Sequence, residues 1–251
     1  MNLESQVALV TGAGGDNGIG FHAARQLAAL GARVFITSTT DRVHQRVDEL
    51  RAEGADAHGV VADLMEPGAP ERVVAQALAF GGRLDICVNN AGMVKIGTPE
   101  SASLEDFRRH QAVMSESVFL ACKHALAVMK DSGGGSIINM SSTASHLGYP
   151  VFHAYGAAKG AVRSMTKSVA VWCQMQKYNI RCNSIHAGAM ETAMVINATQ
   201  ELGMTMDVYH QSPQGLGKPE DIANLVLFLA SEESRFINGA ELMIDNALSI
   251  Q

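Results

Sequence analysis

The sequence has few charged and few aromatic residues, and it lacks a long apolar run. Charged residues make up 18% of its 251 residues and aromatic residues 5%, and the net charge at pH 7 is -6. An acidic chain does not attract the phosphate backbone, so we expect no nucleic-acid partner. No apolar run approaches the roughly 18 residues of a membrane span, and the first strand-like run begins near Gln6, without room for a signal peptide. We expect a cytoplasmic protein with no membrane partner.

Cysteine is also scarce, and its spacing excludes two kinds of site. The four cysteines have neither the paired spacing of a disulfide framework nor the spacing of a metal site: Cys87, Cys122, Cys173 and Cys182. We interpret them as reduced thiols in the core and expect no metal. His146, His153 and His186 are interpreted as structural histidines.

The whole chain, residues 1–251, is expected to form a single domain. Its length supports one large core, 47% of its residues are hydrophobic, and no linker divides it. Stretches with helical and strand-like patterns alternate, with helices near 42–53 and 69–80 and strands near 58–61 and 84–88. Such alternation predicts an α/β fold with parallel strands, helices on both faces and ligands beyond the carboxyl ends of the strands.

A glycine-rich turn follows the first strand. The apolar run Val7–Val10 leads into T-G-A-G-G-D-N-G-I-G at residues 11–20, and a helical pattern then continues to Leu30 and ends at Gly31. Glycines let a backbone approach a pyrophosphate, and a helix N-terminus offers unpaired N–H groups. The turn predicts a dinucleotide site with the candidate contacts Gly12, Asn17, Gly18, Ile19 and Gly20.

The second strand, from Arg33, has no carboxylate at its end. Ser38 occupies the place where an NAD-selective site usually has an acidic residue. The hydroxyls that follow, Thr39 among them, and the guanidinium of Arg42 could hold a 2'-phosphate, which favours NADP(H) over NAD(H). Two alternatives stay open: Asp16 could reach the ribose and reverse the preference, or the segment could be an ordinary polar loop.

Two further strand ends contain candidate cofactor contacts. Asp63, followed by Leu64, comes after the third strand and could face an adenine ring. The sequence N-N-A-G at residues 89–92 ends the fourth strand, where Asn and Gly permit an unusual backbone close to a ligand. The candidates here are Asn90, Ala91 and Gly92, although turn chemistry alone would also explain this segment.

Residues 136–159 contain three side chains that suit carbonyl chemistry. A short buried strand ends at Ser142, and an Ala-rich helix begins near Phe152. Tyr155 and Lys159 stand four apart, so they share one face of that helix. A nearby ammonium should lower the pKa of the phenol and make it a general acid/base, while the serine could donate a hydrogen bond to the reacting oxygen.

This ordered set of motifs resembles the short-chain dehydrogenase/reductase family from about residue 5 to the C-terminus. The resemblance rests on Thr11, Gly12, Gly18 and Gly20 in the turn, on Asn89–Gly92, and on Ser142, Tyr155 and Lys159. It implies a Rossmann-type, doubly wound domain with a seven-stranded parallel sheet, a nicotinamide cofactor and hydride transfer.

The resemblance also implies roles and an assembly. Tyr155 would protonate the carbonyl oxygen, Ser142 would polarise it, and Lys159 would lower the tyrosine pKa and bind the nicotinamide ribose. Gly188 and Thr192 would lie at the nicotinamide. A homotetramer is implied, built from the long helices near 104–130 and 152–177 and from the C-terminal segment.

The chain departs from the family pattern in four respects. The glycine turn is two residues longer, so Gly15–Asn17 should bulge outward. Met114 replaces an asparagine that holds a relay water beside the lysine, and we expect Ser115 or Gln111 to substitute for it. Finally, Ala187 replaces a usual proline, and Asn246 with Ala247 replaces a usual glycine pair.

Residues 190–213 are expected to cover the substrate. Several methionines suggest an adaptable apolar pocket, although they could equally pack the core: Met93, Met140, Met190, Met194, Met204 and Met206. We expect an apolar carbonyl or alcohol substrate that is cyclic or steroid-like, because the segments at residues 177–186 and 239–245 resemble bacterial hydroxysteroid dehydrogenases. The alternatives are a 3-oxoacyl carrier-protein reductase and, of another class, a non-catalytic dinucleotide sensor.

Overall fold

One parallel sheet organises the molecule. A computed structural model describes Met1–Gln251, and its seven strands are β1 (Val7–Val10), β2 (Arg33–Ser38), β3 (Ala57–Val61), β4 (Ile86–Asn89), β5 (Gly135–Ser142), β6 (Ile180–Ala187) and β7 (Glu241–Ile244). Their order is β3-β2-β1-β4-β5-β6-β7, and every neighbouring pair is parallel. The order reverses between β1 and β4, so a crevice opens at the carboxyl ends of these two strands.

Helices connect the strands on both faces of the sheet. They are α1 (Ile19–Ala29), α2 (Arg42–Ala52), α3 (Ala69–Gly81), α4 (Leu104–His110), α5 (Ser117–Met129), α6 (His153–Met175), α7 (Ala193–Glu201), α8 (Asp207–His210) and α9 (Pro219–Ala230). A π-helical segment, Gln111–Glu116, joins α4 to α5, and single 3-10 turns occupy Thr143–Ser145, Glu232–Ser234 and Leu248–Ile250.

The strands alternate between two hydrophobic cores. On β1, Ala8 and Val10 pack in a core with residues of α1, α2 and α9, whereas Leu9 packs in a second core with α3, α5 and α6. Successive side chains of a strand point to opposite faces, which explains why a continuous apolar run serves both layers. All four cysteines are free, buried and in the second core, as the sequence predicts.

One stretch, Leu104–Met129, is long and apolar enough to cross a membrane by length and composition alone. In this fold it lies against α3 and α6 as a helix of the domain.

The predicted α/β architecture is confirmed, and the predicted boundaries shift by at most two residues. The strand expected near 84–88 is Ile86–Asn89, and the second strand extends to Ser38. The first helix ends before Gly31, whose φ of +93° reverses the chain at little steric cost.

Candidate active site

The glycine-rich loop lies in the crevice between β1 and β4. Gly12 has φ +69°, and a Cβ placed on it would lie 2.6 Å from Cα of Ala91. A Cβ on Gly20 would lie 2.4 Å from Nδ2 of Asn90. Glycine at these two positions therefore lets the loop and the N-N-A-G turn approach each other closely.

The start of α1 offers unpaired donors beside this loop. Gly18 is the N-cap residue and supplies no side-chain cap, and no group in the structure accepts a hydrogen bond from the N–H of Ile19 or Gly20. Free N–H groups and the positive end of the helix dipole suit a phosphate anion. The loop therefore fits the pyrophosphate of a dinucleotide, with these two residues as its backbone donors.

The side chain of Asn90 hydrogen-bonds to the glycine-rich loop and so holds it in place. Its amide donates to the carbonyls of Thr11 (2.9 Å) and Gly12 (3.0 Å), and the hydroxyl of Thr11 accepts from the N–H groups of Asn90 and Ala91. Asn89, in contrast, is a core residue that donates to Asn139 (2.8 Å). The backbone of Ala91 and Gly92 thus lines the floor of the crevice.

The two extra residues of the turn form an exposed bend, as predicted. Asp16 and Asn17 are exposed, and the N–H of Gly18 closes the bend on the carbonyl of Gly15 (3.2 Å). The amide of Asn17 donates to the carbonyl of Glu191 (2.8 Å), which is 174 positions away. The extra residues therefore connect the glycine loop to the segment that leads into α7.

The end of β2 presents hydroxyls and one free guanidinium. Ser38 is buried and accepts from the N–H of Thr40 (3.3 Å), while Arg42 donates through Nε to the Thr40 hydroxyl (3.0 Å). The terminal nitrogens of Arg42 have no partner. Thr39 is exposed, and Asp16 forms no hydrogen bond or ion pair with this group. The site holds three hydroxyls and a cation, and Asp41, the N-cap residue of α2, follows Thr40 in the chain.

Asp63 and Leu64 lie in the turn after β3, both half-buried. The carboxylate of Asp63 accepts from the N–H of Met65 (2.9 Å), so it stabilises this turn. The structure shows no other partner for it.

Ser142, Tyr155 and Lys159 converge where β5 meets α6. Ser142 is the last residue of β5, and it lines a cavity together with Tyr155. Lys159 lies beneath them with 5% of its surface exposed, and its ammonium is 5.7 Å from the centroid of the Tyr155 ring. The three residues that the sequence singles out are thus brought together.

The pKa of Tyr155 differs from the sequence prediction. Burial raises it, and the nearby side chain of Ser142 only partly opposes that shift. The ammonium of Lys159 donates to the backbone carbonyl of Met140, and burial brings its own pKa down to about 8. The pKa of Tyr155 is thus raised in this structure, where the sequence predicts that the lysine lowers it.

Met114 lies in the π-helical segment, where it is fully buried. Neither Gln111 nor Ser115 hydrogen-bonds to Lys159, whose one partner is the carbonyl of Met140. The prediction that one of these two residues helps to hold a water beside the ammonium concerns an indirect contact, and it stays a prediction.

A cavity of about 590 Å³ opens above Ser142 and Tyr155, and 15 of its 25 lining residues are hydrophobic. Its walls come from Val94 and Tyr149, from Gly188–Val195, from residues 208–217 and from the C-terminal residues 244–248. Of the methionines expected here only Met190 and Met194 line it, while Met140 packs in the core and Met204 is exposed. Thr192 caps α7 by accepting from the N–H of Val195 (3.4 Å).

His146 and His186 belong to a separate polar cluster behind Ser142. Their ring nitrogens lie 3.1 Å apart, and the carboxylate of Glu241 lies 3.2 Å from His146. Arg163 and Lys167 neutralise that carboxylate through both of its oxygens, which disfavours a divalent cation there. Burial lowers the pKa of His186 to about 4 and also lowers that of His146. His153 is exposed at the start of α6.

Sequence reasoning missed His110 and Lys95. His110 is fully buried at the end of α4, and its ring meets the ring of Tyr155 edge-on, with centroids 6.3 Å apart. A histidine among the apolar positions of a helix was the available signal, but one of its two hydrogen-bond partners, Lys95, lies in a loop 15 residues away in sequence.

Known proteins resemble this chain over almost its whole length. The family model described as Enoyl-(Acyl carrier protein) reductase matches residues 12–249. The 3-beta-hydroxysteroid dehydrogenase of Comamonas testosteroni is 38% identical over 252 residues, which cover 98% of this chain and 96% of that protein. The NADP-dependent (R)-specific alcohol dehydrogenase of Lentilactobacillus kefiri is 34% identical over 258 residues, covering 99% and 98%. A crystal structure from Burkholderia xenovorans, described as that of a candidate short-chain dehydrogenase/reductase, superposes with a TM-score of 0.91 at 32% identity, covering 99% and 98% of the two chains.

Proposed function

Since the chain belongs to the short-chain dehydrogenase/reductase family, we propose that it transfers a hydride between NADP(H) and the carbonyl or secondary alcohol of an apolar, ring-containing substrate such as a steroid. Family membership itself makes the protein an oxidoreductase with a nicotinamide cofactor. The choice of NADP(H), the substrate and the residue roles are the proposal.

The observation that carries the proposal is the position of two hydroxyls on the wall of a mostly apolar cavity. Ser142 and Tyr155 lie together on its wall, and its volume of about 590 Å³ suits a multi-ring molecule. An apolar substrate would lose water on entry and present its one polar group, the carbonyl oxygen, to these hydroxyls.

The side chains have distinct roles in this proposal. When bound, the nicotinamide supplies or accepts the hydride. Tyr155 donates its proton to the carbonyl oxygen during reduction, and its raised pKa keeps that proton in place at neutral pH. Ser142 donates a hydrogen bond to the same oxygen. Lys159, with a pKa of about 8, holds its proton 5.7 Å from the centroid of the Tyr155 ring and places a positive charge beside the phenol.

The end of β2 supports NADP(H). Ser38, Thr39 and Thr40 offer hydroxyls, and the free terminal nitrogens of Arg42 can pair with a 2'-phosphate. The strand end has no carboxylate to accept from a ribose 2'-hydroxyl. A relative 34% identical to this chain is described as NADP-dependent, which agrees with this preference.

The proposal extends to the substrate cover, the assembly and the compartment. Residues 190–213 cover the substrate, since several of them line the cavity. Four apolar side chains on the outer surfaces of α5 and α6 are exposed and would be buried between copies in a homotetramer: Phe119, Val171, Trp172 and Met175. The free, buried cysteines agree with a cytoplasmic location.

A second candidate substrate comes from the family description. The family model is described as Enoyl-(Acyl carrier protein) reductase, which keeps acyl carrier protein thioesters as an alternative substrate class. Among these, the 3-oxoacyl thioesters are the ones that would present a ketone to Ser142 and Tyr155. The non-catalytic sensor is set aside, because all three residues needed for chemistry are present and converge on the cavity.

The test is a paired measurement. NADPH and NADH are titrated by fluorescence, and steroid ketones, cyclic ketones and 3-oxoacyl thioesters are then screened for cofactor oxidation. We expect tighter binding of NADPH and turnover of a ring ketone, reduced at least ~100-fold by Tyr155→Phe. Tyr149→Phe is the matched control, since Tyr149 also lines the cavity. Cofactor binding without turnover of any carbonyl would contradict the proposal.

A further inference from the structure

His110 is held by two hydrogen bonds that together determine its protonation. Its Nδ1 lies 2.7 Å from the carbonyl oxygen of Asp106, and its Nε2 lies 3.2 Å from the N–H of Lys95. A carbonyl only accepts and a backbone N–H only donates, so Nδ1 carries the hydrogen and Nε2 is bare. The residue is a neutral imidazole in a single tautomer and orientation.

This fixed ring borders the ring of Tyr155. The two rings are nearly perpendicular, at 80°, with centroids 6.3 Å apart. Phe152 contacts the same tyrosine ring at 5.9 Å. His110 is fully buried, so it cannot turn away without disturbing the packing. The direction of the phenol is therefore set in part by a side chain that does not itself reach the cavity.

The same histidine is connected to the cover of the cavity. The backbone N–H of Lys95 donates to His110, and the ammonium of Lys95 forms an ion pair of 2.6 Å with Glu201 at the last turn of α7. The neighbouring Val94 lines the cavity. A continuous path of contacts thus leads from Tyr155 through His110 and Lys95 to the helix that covers the substrate.

We propose that His110 is a positioning residue, which orients Tyr155 for proton transfer, and that the ion pair of Lys95 with Glu201 separately holds α7 over the cavity. This inference rests on the proposed function, in which Tyr155 is the proton donor. The two arms of the path have different expected effects. The His110 arm acts on the chemical step, whereas the ion pair of Lys95 with Glu201 acts on substrate retention.

Variants separate the two arms. His110→Leu fills the space but removes both hydrogen bonds, and we expect kcat to fall at least ~10-fold while the Kd for NADPH stays within about twofold. His110→Gln can still accept from the N–H of Lys95 and should recover part of kcat. Lys95→Met and Glu201→Gln break only the ion pair, so each should raise KM about three- to tenfold with kcat within twofold.

A spectroscopic signature tests the orientation without turnover. The chain has four tyrosines, so tyrosine labelled with 13C at Cζ gives few signals, and Tyr155→Phe identifies the one from Tyr155. We expect His110→Leu to shift this signal and Lys95→Met to leave it in place. If His110→Leu does not fold, the spectrum of His110→Gln is recorded instead. We expect a measurable shift of the Tyr155 signal that is smaller than the shift caused by denaturing the wild type.

The outcomes are distinct. If the wild type turns over no carbonyl but its Tyr155 signal depends on His110, the proposed function fails and the positioning by His110 stands. The wild type could instead be active, and a His110 variant could lose melting temperature while kcat and the Tyr155 signal stay unchanged. In that case His110 has only a structural role and the inference is overturned.

Discussion

The ammonium of Lys159 donates a 2.7 Å hydrogen bond to the backbone carbonyl of Met140, two residues before Ser142. The lysine is thereby attached to the strand that carries the serine, although it belongs to the helix that carries the tyrosine. It is buried and has no carboxylate partner, so its charge is costly in the folded protein.

This cost predicts a pH dependence of stability. The folded pKa of Lys159 is about 8, below the ordinary 10.5, so the unfolded state binds more protons between these values. Relative to Lys159→Met, the wild type should therefore gain stability as the pH rises from 8 to 10.5, by at most about 3 kcal/mol. Urea unfolding of both proteins at pH 7, 8, 9 and 10 measures the difference between their free energies of unfolding. The titration of the thiols and phenols that both proteins share cancels in this difference. A constant difference would contradict the prediction.

Cofactor preference should depend on the end of β2. Ser38→Asp places a carboxylate where a 2'-phosphate would lie, so we expect NADPH affinity to fall at least ~10-fold and NADH affinity to rise. Arg42→Ala should weaken NADPH alone, by about three- to tenfold, since its guanidinium is the free cation there. Fluorescence titrations with both cofactors give the ratios, with Arg72→Ala as a distant control. Equal losses for NADPH and NADH in Ser38→Asp would point to general damage.

Acid should destabilise the protein through His186. Its pKa is about 4 in the folded state, chiefly because of burial and then because of His146. Between pH 6.5 and 4 the unfolded state therefore binds more protons than the folded state, and the free energy of unfolding falls as the pH falls. After allowance for solvent screening we expect a loss of about 1–2 kcal/mol across this range. His186→Gln should show a shallower loss, and the exposed His153→Gln should follow the wild type. Denaturant titrations at pH 7, 6 and 5 compare the three slopes.

The exposed apolar surface of α5 and α6 should be an interface between copies. Trp172 is 50% exposed in the single chain. Trp172→Glu would bring a carboxylate into that contact, so we expect the assembly to dissociate to smaller species. Sedimentation of the variant, of the wild type and of Met65→Glu, an exposed methionine after β3, measures the effect. A wild-type monomer would contradict both the tetramer and this prediction.

The sequence predicted the fold because its signals are local. A strand, a glycine turn and a helix follow each other within residues 7–30, and the ends of β2, β3, β4 and β5 carry the polar residues Ser38, Asp63, Asn90 and Ser142. The spacing of Tyr155 and Lys159 on one helix placed both side chains at the site, for the same reason.

What the sequence did not predict depends on long-range contacts. The partners of His110 and the raised pKa of Tyr155 follow from burial between α4, α6 and a loop, which no local pattern encodes. The prediction that methionines line the cavity depends on composition alone. Composition does not distinguish Met190 in the cavity wall from the exposed Met204.

The hydrogen bond between Asn17 and Glu191 has a consequence for protein engineering. A chimera that imports a shorter glycine loop from a relative would delete the donor while leaving its acceptor in place. The two segments are therefore in direct contact in three dimensions, although they are 174 residues apart in sequence. Directed recombination that exchanges both together should preserve function more often than crossovers that separate them.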